Sequence, residues 1–319
     1  MRMGRHMPTG SHATQALDLT QGIGGDAIQI FVTNPRAWQP PAPNPDAEDA
    51  FRARAAALEW PVVAHAAYII NLASPREEIF ERSISLLVAT MRRAEAYGAG
   101  SVVFHIGSHT GAGEPAGLER LAQGIERTLA EAPEGVTLLL ENDTGGGGKL
   151  GYRMENLATA LDLLPQHAAR LGVCIDISHL WGAGYDVGAA AGVAATVAEI
   201  ERTIALARVP VLHVNDAREA LGSHRDVHAR LGEGQIALEG MQAFLRHPGF
   251  GHTAAILETP LPDLASGKPD WEQERVFMRQ ARDLAGLAPL ALTEEAGASD
   301  EGGEIDVAEA SDPATSHAQ

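Results

Sequence analysis

What this 319-residue chain lacks narrows it first. It has one cysteine, Cys174, so no intramolecular disulfide can form and a reducing cytoplasm is the expected home. Aromatics are only 5% of the residues, which leaves the core to Val, Ile, Leu and Ala. No run approaches the roughly 18 uninterrupted apolar residues that span a bilayer, so no membrane partner is expected. The opening MRMGRHMPTGSH has no apolar stretch of the kind a secretion signal needs. Positive charge is scarce, with 24 Lys and Arg against 42 Asp and Glu and a net charge of −18. Eight of those acids, and no Lys or Arg, fall from Ala288 onward, which leaves −10 for the remainder. We read a folded body over residues 1–287 and an acidic, disordered extension over 288–319, rich in Ala, Gly and Ser and without sustained periodicity. An acidic body argues against indiscriminate nucleic-acid binding. Carboxylates that hold divalent cations, however, count as negative in a sequence and not in the loaded protein.

What is present is an alternation. Short apolar runs rich in β-branched residues (RMGRHM, AIQIFVT, PVVAHAA, SVVFHIG, VTLLLEN, GVCIDIS, VPVLHVN and TAAILET) are separated by longer segments whose apolar residues recur at three and four. EDAFRARAAALEW, PREEIFERSISLLVATMRRAEAYG and AGLERLAQGIERTLAEA are such segments, and DWEQERVFMRQARDLAG is the last. Eight strands, each followed by a helix, predict a single α/β domain, a closed (β/α)₈ TIM barrel. An open doubly wound sheet is the alternative, but no GxGxxG follows the first strand.

The polar residues inside those runs are placed regularly. His65, His105, Glu141, Asp176, His213 and Glu258 each sit near the carboxyl end of strands three to eight, the end where barrel enzymes collect their chemistry. Leu139 and Glu141, Cys174 and Asp176, Val211 and His213, and Ile256 and Glu258 lie two apart, so each pair shares a strand face. Bare carboxylates in apolar strands need partners, and Lys and Arg are absent from these runs. After the seventh strand, HVNDAREALGSHRDVHARLGEG adds Asp226 and His228, one residue apart, so an extended backbone presents both to one ion. Asp176 and His179 are three apart, and unless the chain turns sharply there, an extended backbone would point them to opposite sides, toward different ions. One strand-end histidine is more often structural than ligating, but six consecutive strands ending in a ligand-type residue favour metal. Five histidines and four carboxylates suffice for three zinc-like sites with some sharing. Without a thiolate the mixture favours catalytic Zn²⁺, with Mn²⁺ as the alternative.

At these residues the chain resembles the endonuclease IV family of apurinic/apyrimidinic endonucleases. The resemblance runs from about Met3 to Gly286 and is carried by VFHIGSH, LLLENDTG, GVCIDISHLWGAGYD, LHVNDA, GSHRDVHARLGEG and AILETP. It implies a TIM barrel with three zinc ions at the mouth. His65, His105 and Glu141 would hold the first; Glu141 would bridge to a second, held also by Asp176, His213 and Glu258; His179, Asp226 and His228 would hold the third. The implied reaction is hydrolysis of the phosphodiester 5′ to an abasic site in double-stranded DNA, in base excision repair, leaving a 3′-hydroxyl and a 5′-deoxyribose phosphate. Glu141 and Glu258 would serve catalysis, Glu258 by orienting the nucleophile. Arg36 in TNPRAW would fill the gap in the base stack, and Tyr68 in HAAYIINL would wedge at the kink. An abasic nucleotide has no base to unstack, so turning it out costs less. A monomer is expected, because the mouth must stay free.

The chain also departs from the family pattern. Ile106 stands where the family usually has proline, and Thr33 where a lysine is common, so one phosphate contact is expected to be missing. Gly145 to Gly148 reads as a loose loop, His6 and His109 as supporting rather than ligating, Trp38 as loop packing, and Cys174 as a buried strand residue. The rival enzyme is a divalent-metal sugar isomerase or epimerase of the related xylose-isomerase-like barrel. Glu141, Asp176, His213 and Glu258 would serve it, but it gives no role to His179, Asp226 and His228. A non-catalytic damage-binding protein would have let some of these positions erode.

Overall fold

A computed structural model describes residues 1–9 and 13–290. The extension expected over 288–319 therefore lies, from 291 on, outside the described residues. Eight parallel strands close into a barrel: β1 (Arg2–Met7), β2 (Ala27–Phe31), β3 (Val62–His65), β4 (Ser101–His105), β5 (Thr137–Glu141), β6 (Leu171–Asp176), β7 (Val211–His213) and, as the eighth, β10 (Ala254–Leu257). β1 pairs with both β2 and β10, so no strand edge is left open. These are the eight runs read from the sequence.

Helices pack outside: α1 (Ala13–Gly22), α2 (Pro45–Leu58), α3 (Glu77–Ala96), α4 (Glu114–Glu131), α5 (Met154–Asp162), α6 (Ile177–Ala183), α7 (Ala190–Thr203), α8 (Leu238–Leu245) and α9 (Trp271–Ala285). In α3, Phe80, Ile84, Leu87, Val88 and Met91 are buried at spacings of three and four, and the opposite face carries charge. None of these helices is long and apolar enough to cross a membrane.

Inside the barrel, Ala27, Val63, Val103, Leu139, Cys174, Val211, Ala254 and Ile256 form one buried cluster, separate from the larger core between sheet and helices. β1 contributes Gly4, where a Cβ would stand 1.8 Å from the Ala27 carbonyl oxygen, so only glycine lets β1 and β2 approach this closely. The layer matters for function because side chains alternate along each strand. Two residues beyond each of Ala27, Val63, Val103, Leu139, Cys174, Val211 and Ile256, the same face carries Gln29, His65, His105, Glu141, Asp176, His213 and Glu258. The apolar layer is thus the floor of a polar mouth.

Candidate metal centre

The strand register brings the mouth residues level. His105 is the direct neighbour of Glu141, and Asp176 of His213. Glu141 is the hub: its carboxylate lies 3.3 Å from His65 Nε2, 3.5 Å from His105 Nδ1, 3.5 Å from His179 Nδ1 and 2.9 Å from His213 Nδ1. His213 Nδ1 is also 3.1 Å from Glu258 and 3.9 Å from Asp176.

The third group is assembled by local folding that the strand pattern does not show. Asp176 ends β6 and caps α6, accepting a hydrogen bond from the His179 backbone N–H at 3.0 Å. The chain therefore turns sharply, the case in which Asp176 and His179 need not point to opposite sides, and His179 Nε2 is 4.0 Å from the Asp176 carboxylate. The long excursion after β7 is closed by a two-stranded antiparallel ladder, β8 (Asp216–Ala217) with β9 (His228–Ala229). The loop is fastened to α6, since Gly222 N–H donates to the Trp181 carbonyl and His224 N–H to that of Gly182, both at 3.0 Å. Asp226 consequently reaches His179 Nε2 at 3.2 Å and His228 Nε2 at 3.1 Å. His228 Nε2 stands 3.6 Å from Asp176, which faces both this group and His213.

Among the described residues, donor atoms converge within 4.8 Å of one another in four overlapping sets, none of which includes Asp226: His65, His105 and Glu141; His65, His213 and Glu258; Glu141, Asp176, His213 and Glu258; and Asp176, His179 and His228. Whether such sets suit metal is a matter of the free lone pairs. His105 Nδ1, His179 Nε2, His228 Nε2 and Asp226 Oδ1 are buried without a well-formed hydrogen bond, which proteins rarely tolerate. In His65, His179 and His213 one ring nitrogen is already occupied. His65 Nδ1 pairs with the Ala66 carbonyl at 2.8 Å, His179 Nδ1 with that of Asn142 at 2.8 Å, and His213 Nε2 with Gln29 Oε1 at 2.9 Å. With those nitrogens protonated, the nitrogens facing the mouth are acceptors, as metal-binding histidines require. The residues fit divalent ions.

Electrostatics say the same. Burial would raise the Glu141 carboxyl, but His105 and His213 outweigh it and hold it well below the usual carboxylate range. Burial likewise opposes charge on Asp226, yet His179 and His228 hold it well below its ordinary value. In return, against burial, Asp176 and Asp226 hold His179 well above the ordinary imidazole range, and Asp226 brings His228 to about 9. Without ions the cluster balances its carboxylates with protons, which a divalent cation displaces.

Several contributors were not read from the sequence. Gln29 Nε2 donates to Glu258 at 2.6 Å and lies 2.9 Å from His6 Nδ1. Asn215 accepts from the Glu258 N–H at 2.9 Å and donates to the Asp176 carboxylate at 2.7 Å; Asn142 accepts from the Asp176 N–H at 2.6 Å and donates to its carbonyl at 3.1 Å. Gln29 could have been found as a lone polar residue two positions past Ala27. The two asparagines follow ligand-type residues at once or after one position, a signal meaningless until strands are paired.

Arg36 is exposed on the loop after β2, and Tyr68 is half-buried on the loop after β3, with its ring 5.7 Å from that of His65 and 5.9 Å from that of His105. The Tyr68 N–H donates to the Pro35 carbonyl at 3.0 Å, so these two loops are joined beside the mouth. Trp38 packs on the core with the Arg82 guanidinium 4.5 Å above its ring. His109 lies outside the four sets, and its Nδ1 accepts from the Gly111 and Gly113 N–H groups at 3.2 Å. Cys174 is buried, and burial pushes its thiol up to about 12, which leaves it no nucleophilic character near neutral pH. The glycine run is not a loose loop. Gly145, Gly147 and Gly148 take positive φ in a compact turn, with the Ser108 hydroxyl donating to the Gly147 carbonyl and the His109 N–H to that of Gly148.

Comparison with known proteins identifies the family. The family described as xylose isomerase-like TIM barrel matches residues 17–281. The probable endonuclease 4 of Chloroflexus aurantiacus is 40% identical over 285 residues, 89% of this chain and 98% of the relative. The crystal structure of endonuclease IV from Thermus thermophilus superposes with a TM-score of 0.77 at 33% identity, covering 90% of this chain and 99% of that one. A D-psicose 3-epimerase from Clostridium cellulolyticum shares the fold at 14% identity and a TM-score of 0.63, over 90% of this chain and 98% of that one. The chain belongs to the xylose isomerase-like TIM barrel family and, within it, to the endonuclease IV family of metal-dependent nucleases.

Proposed function

We propose that this protein is a zinc-dependent apurinic/apyrimidinic endonuclease acting as a monomer in the cytoplasm. It cuts the phosphodiester 5′ to abasic sites in double-stranded DNA and leaves a 3′-hydroxyl and a 5′-deoxyribose phosphate for base excision repair. The observation that carries this reading is the group around His179, Asp226 and His228, built by α6 and the loop after β7 beside an already sufficient set of Glu141, Asp176, His213 and Glu258. Sugar isomerisation or epimerisation on this fold has no use for that extra group. Displacement at phosphorus does, because charge develops on several oxygens at once.

His65, His105 and Glu141 would hold one zinc; Glu141 with Asp176, His213 and Glu258 a second; His179, Asp226 and His228 a third. Ions held there would supply Lewis acidity and a nucleophile near neutral pH. The chain's own residues do the rest. Glu141 ties the groups together through its four histidine contacts. Glu258, partly exposed at the rim and clamped by Gln29 and Asn215, orients the attacking oxygen. Arg36 and Tyr68, on joined loops at one side, would fill and wedge the duplex where the base is missing. The test is a duplex with one tetrahydrofuran abasic analogue, which cannot undergo β-elimination. One incision on its 5′ side, leaving a 3′-hydroxyl, supports the proposal; an intact duplex together with epimerised ketoses would overturn it.

A further inference from the structure

Lys149 is a cation beside the donor sets. Its ammonium lies 3.1 Å from the Asp143 carboxylate, which is 4% exposed, whereas the Lys149 side chain is 37% exposed. Asp143 Oδ2 is in turn 3.7 Å from His105 Nδ1, so the pair borders the donor sets directly. Burial lowers the Lys149 ammonium, but Asp143 first, then Asp226 and Glu141, raise it overall, which keeps it charged beside the mouth. Its backbone is held on both sides. Lys149 bridges Ser108 in antiparallel fashion, the Leu150 N–H donates to the Gly107 carbonyl at 2.9 Å, and the Lys149 N–H to that of Gly146 at 3.2 Å. The glycine turn therefore serves to set one lysine beside the loop that follows His105. On the loop after β2, the position where the family pattern has a lysine is taken by Thr33, which is buried against Thr90 of α3.

We propose that Lys149 is a substrate-binding residue: it passes from Asp143 to a non-bridging phosphate oxygen of the DNA strand laid across the cluster, and Asp143 parks it when no DNA is bound. A buried acceptor on one side and water on the other suit such an exchange, since the ammonium has three donors on a flexible stem. Asp143 holds the unliganded mouth nearer to neutral and competes with phosphate for the same cation. The inference rests on the nuclease reading above.

The experiment is equilibrium binding of the tetrahydrofuran duplex across a salt series, with KM and zinc content measured on the same preparations. Lys149→Ala is expected to weaken binding and raise KM about tenfold at low salt, as loss of one charge-assisted contact does. It should also reduce the slope of log affinity against log salt by about 0.9, one phosphate contact, with zinc content as in wild type. Lys149→Arg should restore the slope, and Asp143→Asn should tighten binding without changing it. If Lys149→Ala keeps the wild-type slope and KM, or loses zinc, the lysine only braces its loop and the proposal fails. If wild type neither binds nor cuts the duplex, the function proposed above fails and takes this inference with it.

Discussion

The apolar floor and the polar mouth of this barrel are built on the same strands, two residues apart, and follow opposite rules. Val63, Val103, Leu139 and Val211 fill the interior without a polar partner and contribute stability by being removed from water. His65, His105, Glu141, Asp176 and His213 lie just above them, as deeply buried in most cases, and take no stability from burial itself. The floor is complete as folded; the mouth is complete only with counter-charge. One strand can carry both because its alternation fixes which side a residue faces and leaves its chemistry free.

The sharpest way to break the comparison is to make the same kind of change in both layers. Glu141→Gln keeps volume and removes the charge at the hub, and should lower duplex incision by at least about a thousandfold while the fold survives. Incision and metal content on one preparation would check this. Leu139→Ala, one turn of the alternation below, should do the reverse. It should cost about 2–5 kcal/mol in urea unfolding through the cavity it leaves, with metal content retained. A subtler difference appears with pH. His228 has an ordinary value of 6.5 and stands at about 9 in the folded, ion-free protein. Because the folded value is the higher one, its contribution to stability is complete below 6.5 and is lost as pH rises through about 9. Chelated protein should accordingly melt lower at pH 9 than at pH 6.5 by a few degrees, and zinc-loaded protein should not show that fall. Equal behaviour of the two forms would contradict the view that protons and ions compete at the mouth.

Much of this was legible in the sequence because it depends on period. Alternation of apolar runs with helical spacing defined the barrel, and the placement of His65, His105, Glu141, Asp176, His213 and Glu258 at run ends marked the mouth. What period cannot show is where the chain turns. The turn at Asp176 into the seven-residue α6 brings His179 round to Asp176, and the loop closed by the β8–β9 ladder brings Asp226 to His179. The first rests on the Asp176 cap, which an apolar period does not reveal, and the second on the fastening of the loop to α6, as where Trp181 Nε1 donates to the Glu219 carbonyl at 3.0 Å. Asn142 and Asn215 were invisible for a related reason: each clamps the backbone of the neighbouring strand, so its role exists only once the strands are in register. The Gly145–Gly148 run was misread as loose because composition reports freedom in the unfolded chain, whereas its folded turn is held by Ser108 and His109.

The proposed function requires nine side chains at one end of the barrel to hold three ions. The most direct test is to count zinc by elemental analysis in purified wild type and in Asp226→Ala. About three zincs per chain falling to about two, with the remaining ions resistant to brief chelation, is the predicted result. One or two zincs in wild type, unchanged when Asp226 is removed, would contradict it.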